Sequence, residues 1–297
     1  MYWHTAELTG LEPNTIYHYR VGTSEPWQSE NYTFKTGIPE GDDTPFRIAV
    51  ITDTHGHHDN QKKVLEAIKE ENVDFILGLG DFTDTGNQVE WDIWFSAGEG
   101  LLSEMPFISV HGNHEGNQTT YWEQFAYPGN ERWFSLDYGT VHLVFLMAAS
   151  EPLAVEQVPW IQQDLQANNN PWTIAMGHIP LYSAGLNHGS SDYLIAHWAS
   201  IFDEHGVNLY LAGHNHCYER SLPVKDGRVD AEGVMYITHG PVGEKLYAVG
   251  QEWWTDVAIE NVSMYVLYSV EGSQIKGTAK ALDGSILDEF VLEHPSF

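Results

Sequence analysis

Five short clusters of histidine, aspartate and asparagine recur in this chain, each directly behind an apolar run. "DTH" (53–55) follows "FRIAVIT", "GDFTD" (80–84) follows "VDFILGL", and "HGNHEG" (111–116) follows "MPFISV". "GHIPLY" (177–182) follows "PWTIAM", and "GHNHCYER" (213–220) follows "VNLYLA". Neutral imidazole and carboxylate together suit zinc, manganese, iron and cobalt. Two such ions about 3.5–4 Å apart form the usual arrangement for hydrolysing phosphoesters. One His or Asp behind a strand reads as a turn or cap residue; five clusters in succession point to a shared site. His214 and His216 stand at i and i+2. In an extended chain they share a face, roughly 7 Å apart, which would let them serve two neighbouring ions.

The runs at 46–52, 73–79, 105–110, 171–176 and 207–212 read as buried strands. Helical spacing separates them at 60–73, 88–98, 155–169 (Pro159 near its start) and 191–206. This alternation predicts an α/β domain, and such sheets bind ligands beyond the carboxyl ends of their strands. Asp53, His55, Asp81, Asp84, Asn113, His114, His178, His214 and His216 are therefore expected at one edge. Gly80, Gly112, Gly177 and Gly213 are expected to let the backbone turn sharply there. The segments 233–240, 263–272, 274–284 and 286–293 read as strands. At the start, 15–22 and 30–36 alternate like short strands, with turn signals "EPN" and "SEPWQ". "GIPEGDDTP" (37–45) reads as a linker. The expected division is 1–40 and 41–297.

The chain has 297 residues, 42% hydrophobic, enough for one large core and a small appendage. Its 13 Lys+Arg against 42 Asp+Glu leave a formal charge of −29. That argues against nucleic-acid binding through a basic surface and against anionic membranes. An anionic substrate would need a local positive feature such as a metal pair. Cys217 is the sole cysteine, so intrachain disulfides and a Cys-rich zinc module are excluded; it reads as a small apolar side chain. No apolar run reaches the roughly 20 residues of a membrane helix, and no signal peptide is visible.

The order Asp-x-His, Gly-Asp-x-x-Asp, Gly-Asn-His-Glu, Gly-His, Gly-His-x-His resembles the calcineurin-like metallophosphoesterase superfamily. The flanks "GHIPLYS", "GHNHCYERSLP", "ERWFSLDYGTVHLVFL", "LTGLEPNTIYHYRVG" and "KALDGSILDEFVL" are similar to purple acid phosphatases. The resemblance implies a four-layer α/β/β/α catalytic domain over 41–297. It also implies that 1–40 are the C-terminal part of a fibronectin III-like β domain plus linker, packed on the catalytic domain or on another chain. An extracellular or periplasmic location is implied too.

The resemblance further implies two metal ions. Asp53, His55, Asp81 and His216 would hold the first, and Asp81, Asn113, His178 and His214 the second, with Asp81 bridging. His114 would stand beside the leaving group as general acid, with the Asp84 carboxylate paired to its ring. His188 would contact substrate. Purple acid phosphatases carry a tyrosine where this chain has Asp84, and no metal-binding histidine where it has His55. Loss of the tyrosinate favours a divalent pair (Fe, Mn, Zn or Co) and a protein that is not purple. The expected activity is hydrolysis of small phosphoesters, diesters included. The alternatives are a strict phosphomonoesterase or a non-catalytic metal-binding scaffold. His57 and His58 read as solvated loop residues, and Glu219 with Arg220 as an ion pair.

Overall fold

The computed structural model describes residues 3–22, 30–116, 119–243 and 245–294. Two sheets face each other. The six-stranded sheet runs in the order Ile286–Glu293, Gln274–Ala281, Met264–Glu271, Phe46–Ile51, Phe75–Gly78, Phe107–Ser109. The seven-stranded sheet runs Thr255–Ile259, Tyr218–Ser221, Met235–Thr238, Leu209–Ala212, Trp172–Met176, Val141–Phe145, Phe134–Tyr138. The motif-bearing strands are neighbours within each sheet and parallel: Ile48 pairs with Phe75, Ile76 with Phe107, and Ile174 with Leu209.

The period of two in each strand builds the layers. Ile48 and Val50, Leu143 and Phe145, Ile174 and Met176, Leu209 and Leu211 meet in one core between the sheets. Their alternates point outward. Ala49 and Ile51 pack with Val64, Leu65 and Ile68 of the helix His58–Lys69. Val144, Ala175, Tyr210 and Ala212 pack with Ala154, Ile161 and Leu165 of the helix Glu151–Ala167, and with Trp198 and Phe202. The result is helix, sheet, sheet, helix: the expected four-layer α/β/β/α sandwich. Both faces of the parallel strands are covered, which explains their continuous apolar runs.

Several expectations change. The helix expected at 155–169 begins at Glu151, so Pro159 lies in its interior, while Pro152 occupies the first turn where proline is tolerated. The strands Phe134–Tyr138, Tyr218–Ser221 and Thr255–Ile259 are additions that the patterning did not isolate. Near the start, Ile16–Tyr19 and Tyr32–Lys35 form an antiparallel hairpin; the "SEPWQ" turn lies outside the described residues. The hairpin packs on the main body: the Tyr19 hydroxyl donates to the Ser103 carbonyl, and Lys35 Nζ lies 3.1 Å from Asp74. No helix among the described residues is long and apolar enough to cross a membrane.

Candidate metal centre

The loops behind the five parallel strand ends converge. Asp53, His55, Asp81, His178 and His216 are buried, His114 and His214 half-buried, and Asn113 and Asp84 exposed. Asp53, His55 and His216 form one group of facing donor atoms, and Asp81, His178 and His214 another. In the first, His216 Nε2 lies 3.1 Å from Asp53 Oδ1 and 3.1 Å from His55 Nε2. In the second, His178 Nε2 lies 3.0 Å from Asp81 Oδ2, 3.1 Å from Asn113 Oδ1 and 3.3 Å from His214 Nδ1. Asp81 Oδ2 also faces the first group, 3.8 Å from His55 Nε2.

The backbone reaches this arrangement by strain. Asp53, His55, Asp81, His214 and His216 all have positive φ, between 44° and 70°. Side chains in that left-handed region are uncommon and cluster at functional sites. This revises the extended-chain reasoning for His214 and His216. The two rings do join different groups, but a tight left-handed turn separates them. The glycines also divide. Gly80 turns with φ +93°, whereas at Gly112 and Gly213 the need is space: a Cβ would strike Asp81 and Thr52, respectively.

Hydrogen bonds aim each donor. His178 Nδ1 donates to the Leu79 carbonyl at 2.7 Å and His216 Nδ1 to the Lys245 carbonyl at 2.6 Å, leaving Nε2 inward. Asp53 Oδ2 accepts from Thr52 Oγ1 at 2.6 Å and His214 N at 3.0 Å. Its Oδ1 is buried with no donor. Asp81 Oδ1 accepts from His114 N at 2.7 Å, which leaves Oδ2 free to face both groups. The orphaned Asp53 oxygen, and one His178 nitrogen shared by three neighbours, fit metal ligation better than a closed hydrogen-bond set. Two carboxylates, four imidazoles and an amide suit the borderline metals.

The electrostatics agree. Burial opposes charge on His178, but the Asp81 and Asp53 carboxylates outweigh it and raise its pKa to about 10. Burial, with His178 and His188 nearby, lowers His214 to about 3. The buried carboxylates thus demand a cation, while His214 stays neutral and available.

Glu115 was missed by sequence reasoning, though it completes "GNHE". It is fully buried and accepts from the backbone N–H groups of Asp81, Phe82, Thr83 and Gly112 at 2.8–3.2 Å. One carboxylate thereby fixes the Asp81 loop to the Asn113 loop. Burial, then Asp81, raises its pKa to about 7.

His114 sits at the mouth. The expected hydrogen bond from its ring to the Asp84 carboxylate is absent among the described residues: His114 Nδ1 donates to the Asp84 carbonyl at 2.8 Å, and the carboxylate, within 4.8 Å of both rings, stands 3.4 Å from His55 Nδ1. His188 is exposed and tilts over His214, ring centroids 4.3 Å apart. Two loops that the motifs do not mark form this rim. Leu186 N donates to Ala248 O, and Gly250 N to Ala184 O. Tyr247 then stacks on His216 at 4.5 Å and 8°, with Lys245 Nζ 5.5 Å from its ring centre.

Glu219 and Arg220 do not pair with each other. On a strand they point to opposite faces: Arg220 binds Asp256 and Asp288 at 2.6 and 2.7 Å, and Glu219 accepts from Ala184 N, Trp254 Nε1 and Thr255 Oγ1. Cys217 is buried.

Comparison with known proteins sets this geometry in a family. Residues 46–218 match calcineurin-like phosphoesterase, and residues 1–36 match the purple acid phosphatase N-terminal domain. The chain is 28% identical to human acid phosphatase type 7, across all of this chain and 78% of that protein. It is 29% identical to Arabidopsis thaliana purple acid phosphatase 15, over 82% of this chain and 54% of that protein. The fold matches a purple acid phosphatase from yellow lupin with TM-score 0.83 and 19% identity, covering 96% of this chain and 61% of that one. It also matches Plasmodium GAP50, described as an anchor in the inner membrane complex, with TM-score 0.68 and 17% identity, over 85% of this chain and 90% of that one. With more than half its length matched, the chain belongs to the calcineurin-like phosphoesterase family.

Proposed function

We propose that this protein hydrolyses small phosphomonoesters and phosphodiesters using two divalent metal ions. Asp53, His55, Asp81 and His216 would hold one ion, and Asp81, Asn113, His178 and His214 the other. The observation that carries the reading is Asp81: one oxygen is fixed by His114 N, and the other faces His178 and His55 at once. Such ions, when bound, lower the pKa of water toward about 7 and offset the charge that builds on the phosphoryl oxygens.

The remaining work falls to the chain. The Leu79 and Lys245 carbonyls fix the tautomers of His178 and His216. His114, held through Nδ1 by the Asp84 carbonyl, keeps Nε2 free to give a proton to the leaving oxygen when the ring is charged. General acid help of this kind contributes roughly 10²–10⁴-fold. His188, Tyr247 and Lys245 form the side of the rim that meets the ester's remaining group. Purple acid phosphatases carry a tyrosinate at the position of Asp84; here His55 would take that ligand's part as an uncharged donor once metal is bound, and this supports a divalent pair and diester turnover. We further propose that 41–297 form the catalytic unit and 1–40 a β appendage to it.

The test is metal analysis with paired kinetics on an aryl phosphate and a bis-aryl phosphate. Turnover of both, lost with chelator and restored by metal, is expected. A diester rate a thousandfold or more below the monoester rate would make this a strict monoesterase. No turnover of either by fully metal-loaded protein would make it a scaffold.

A further inference from the structure

We infer that the Asp84 carboxylate is a positioning residue for the metal ligand His55, and not the partner of the general acid His114; this rests on the two-metal reading above. Asp84 makes two different contacts. Its backbone carbonyl takes His114 Nδ1 at 2.8 Å, while its carboxylate Oδ1 stands 3.4 Å from His55 Nδ1. His114 Nδ1 is thus already bonded, and no hydrogen bond joins its ring to the Asp84 side chain among the described residues.

His55 has the opposite need. A histidine that ligates through Nε2 is aimed by an acceptor on Nδ1. His178 has the Leu79 carbonyl and His216 the Lys245 carbonyl. No backbone carbonyl among the described residues accepts from His55 Nδ1; the Asp84 carboxylate stands opposite it at 3.4 Å, an ion-pair distance that a small closure on metal binding would turn into a hydrogen bond. The next residue leaves room for that approach. Gly56 has φ +73°, and a Cβ there would come within 3.1 Å of Asp84 Oδ2. His55 and His114 stand edge to face with centroids 4.5 Å apart. Residue 84 therefore lies between the first metal's cradle and the proton donor, its side chain serving one and its backbone the other.

The experiment titrates metal-free wild type, Asp84→Asn and Asp84→Ala with cobalt(II) alone against a chromophoric chelator, alongside pH–rate profiles at saturating cobalt. Wild type binding fewer than two ions would overturn the two-metal reading, and this inference with it. Given two ions, Asp84→Ala is expected to weaken one of them by about 10–100-fold and leave the other unchanged. Asp84→Asn keeps an acceptor oxygen and should recover part of that loss. At saturating cobalt the alkaline limb of the profile should not move, because the carbonyl that holds His114 is retained. Wild-type affinity at both sites in both variants would overturn the inference. If the alkaline limb moved down as well, the carboxylate would be acting on His114 after all.

Discussion

Two sets of imidazole and carboxylate among the described residues, each around buried histidine, are built on opposite principles. His142, in a regular strand, donates from Nδ1 to Asp137 at 2.8 Å and from Nε2 to Asp164 at 2.9 Å. Each carboxylate takes one further donor, Asn170 Nδ2 and Ser135 Oγ. Both ring nitrogens of His142 are thus satisfied by protein carboxylates, and each carboxylate is held by a second protein donor. In the metal centre the donors face each other, His55 Nε2 toward His216 Nε2, one Asp53 oxygen has no donor, and five residues are held at positive φ. The first set is closed by protein and stabilises it. The second is left open by protein and held strained, as sites poised for ligands are. A histidine near aspartates is thus a structural or a functional residue according to whether its neighbours already satisfy one another.

Chelation separates the two most sharply. Stripping metal should abolish phosphoesterase activity while far-ultraviolet circular dichroism and the folded state persist. Unfolding on chelation would place the centre among the fold's supports and erase the distinction.

Next in size is His114→Asn. It should lower kcat by roughly 10²–10⁴-fold, with both metals retained and the larger loss on esters with poor leaving groups. Equal losses on nitrophenyl and alkyl esters would remove the general acid from the mechanism.

His142→Asn should act on stability alone. Burial disfavours charge on His142, but the bonds to Asp164 and Asp137 outweigh it and raise its pKa. The charged clamp's contribution is therefore complete below the ordinary histidine range, near pH 6.5, and fades as pH rises through the raised value. The variant should lose about 1–3 kcal/mol in acid and less at alkaline pH, read by denaturant unfolding with kcat unchanged. A loss that grows with pH would contradict the charged clamp.

The smallest effect belongs to Lys245. An exposed charge is worth at most about 1 kcal/mol, so Lys245→Met should raise KM by no more than about fivefold, with kcat kept. An unchanged KM at low salt would remove Lys245 from the rim.

The metal centre was legible in the sequence because its residues are chemically distinctive and each follows a buried strand. The parallel strands showed as continuous apolar runs for the same reason: both faces are covered. Three things were not legible. Tyr218–Ser221 is buried yet carries Glu219 and Arg220, whose partners lie 35 or more positions away, so its pattern does not read as a strand. Asp84 looked like the partner of His114 because spacing names a residue but not whether its carboxylate or its carbonyl is used. Tyr247 and Lys245 sit in a loop whose position depends on pairing with residues 184–186, a contact that local patterns do not carry.

The central claim is that one aspartate serves two metal ions. Its most direct test is the metal content per chain of fully active protein and of Asp81→Asn, by inductively coupled plasma mass spectrometry after exhaustive dialysis. The account predicts close to two ions in the active protein, and depletion of both in the variant, with activity down by more than about 100-fold, beyond what loss of an outer partner costs. Full activity with a single ion, or two ions retained by Asp81→Asn, would contradict it.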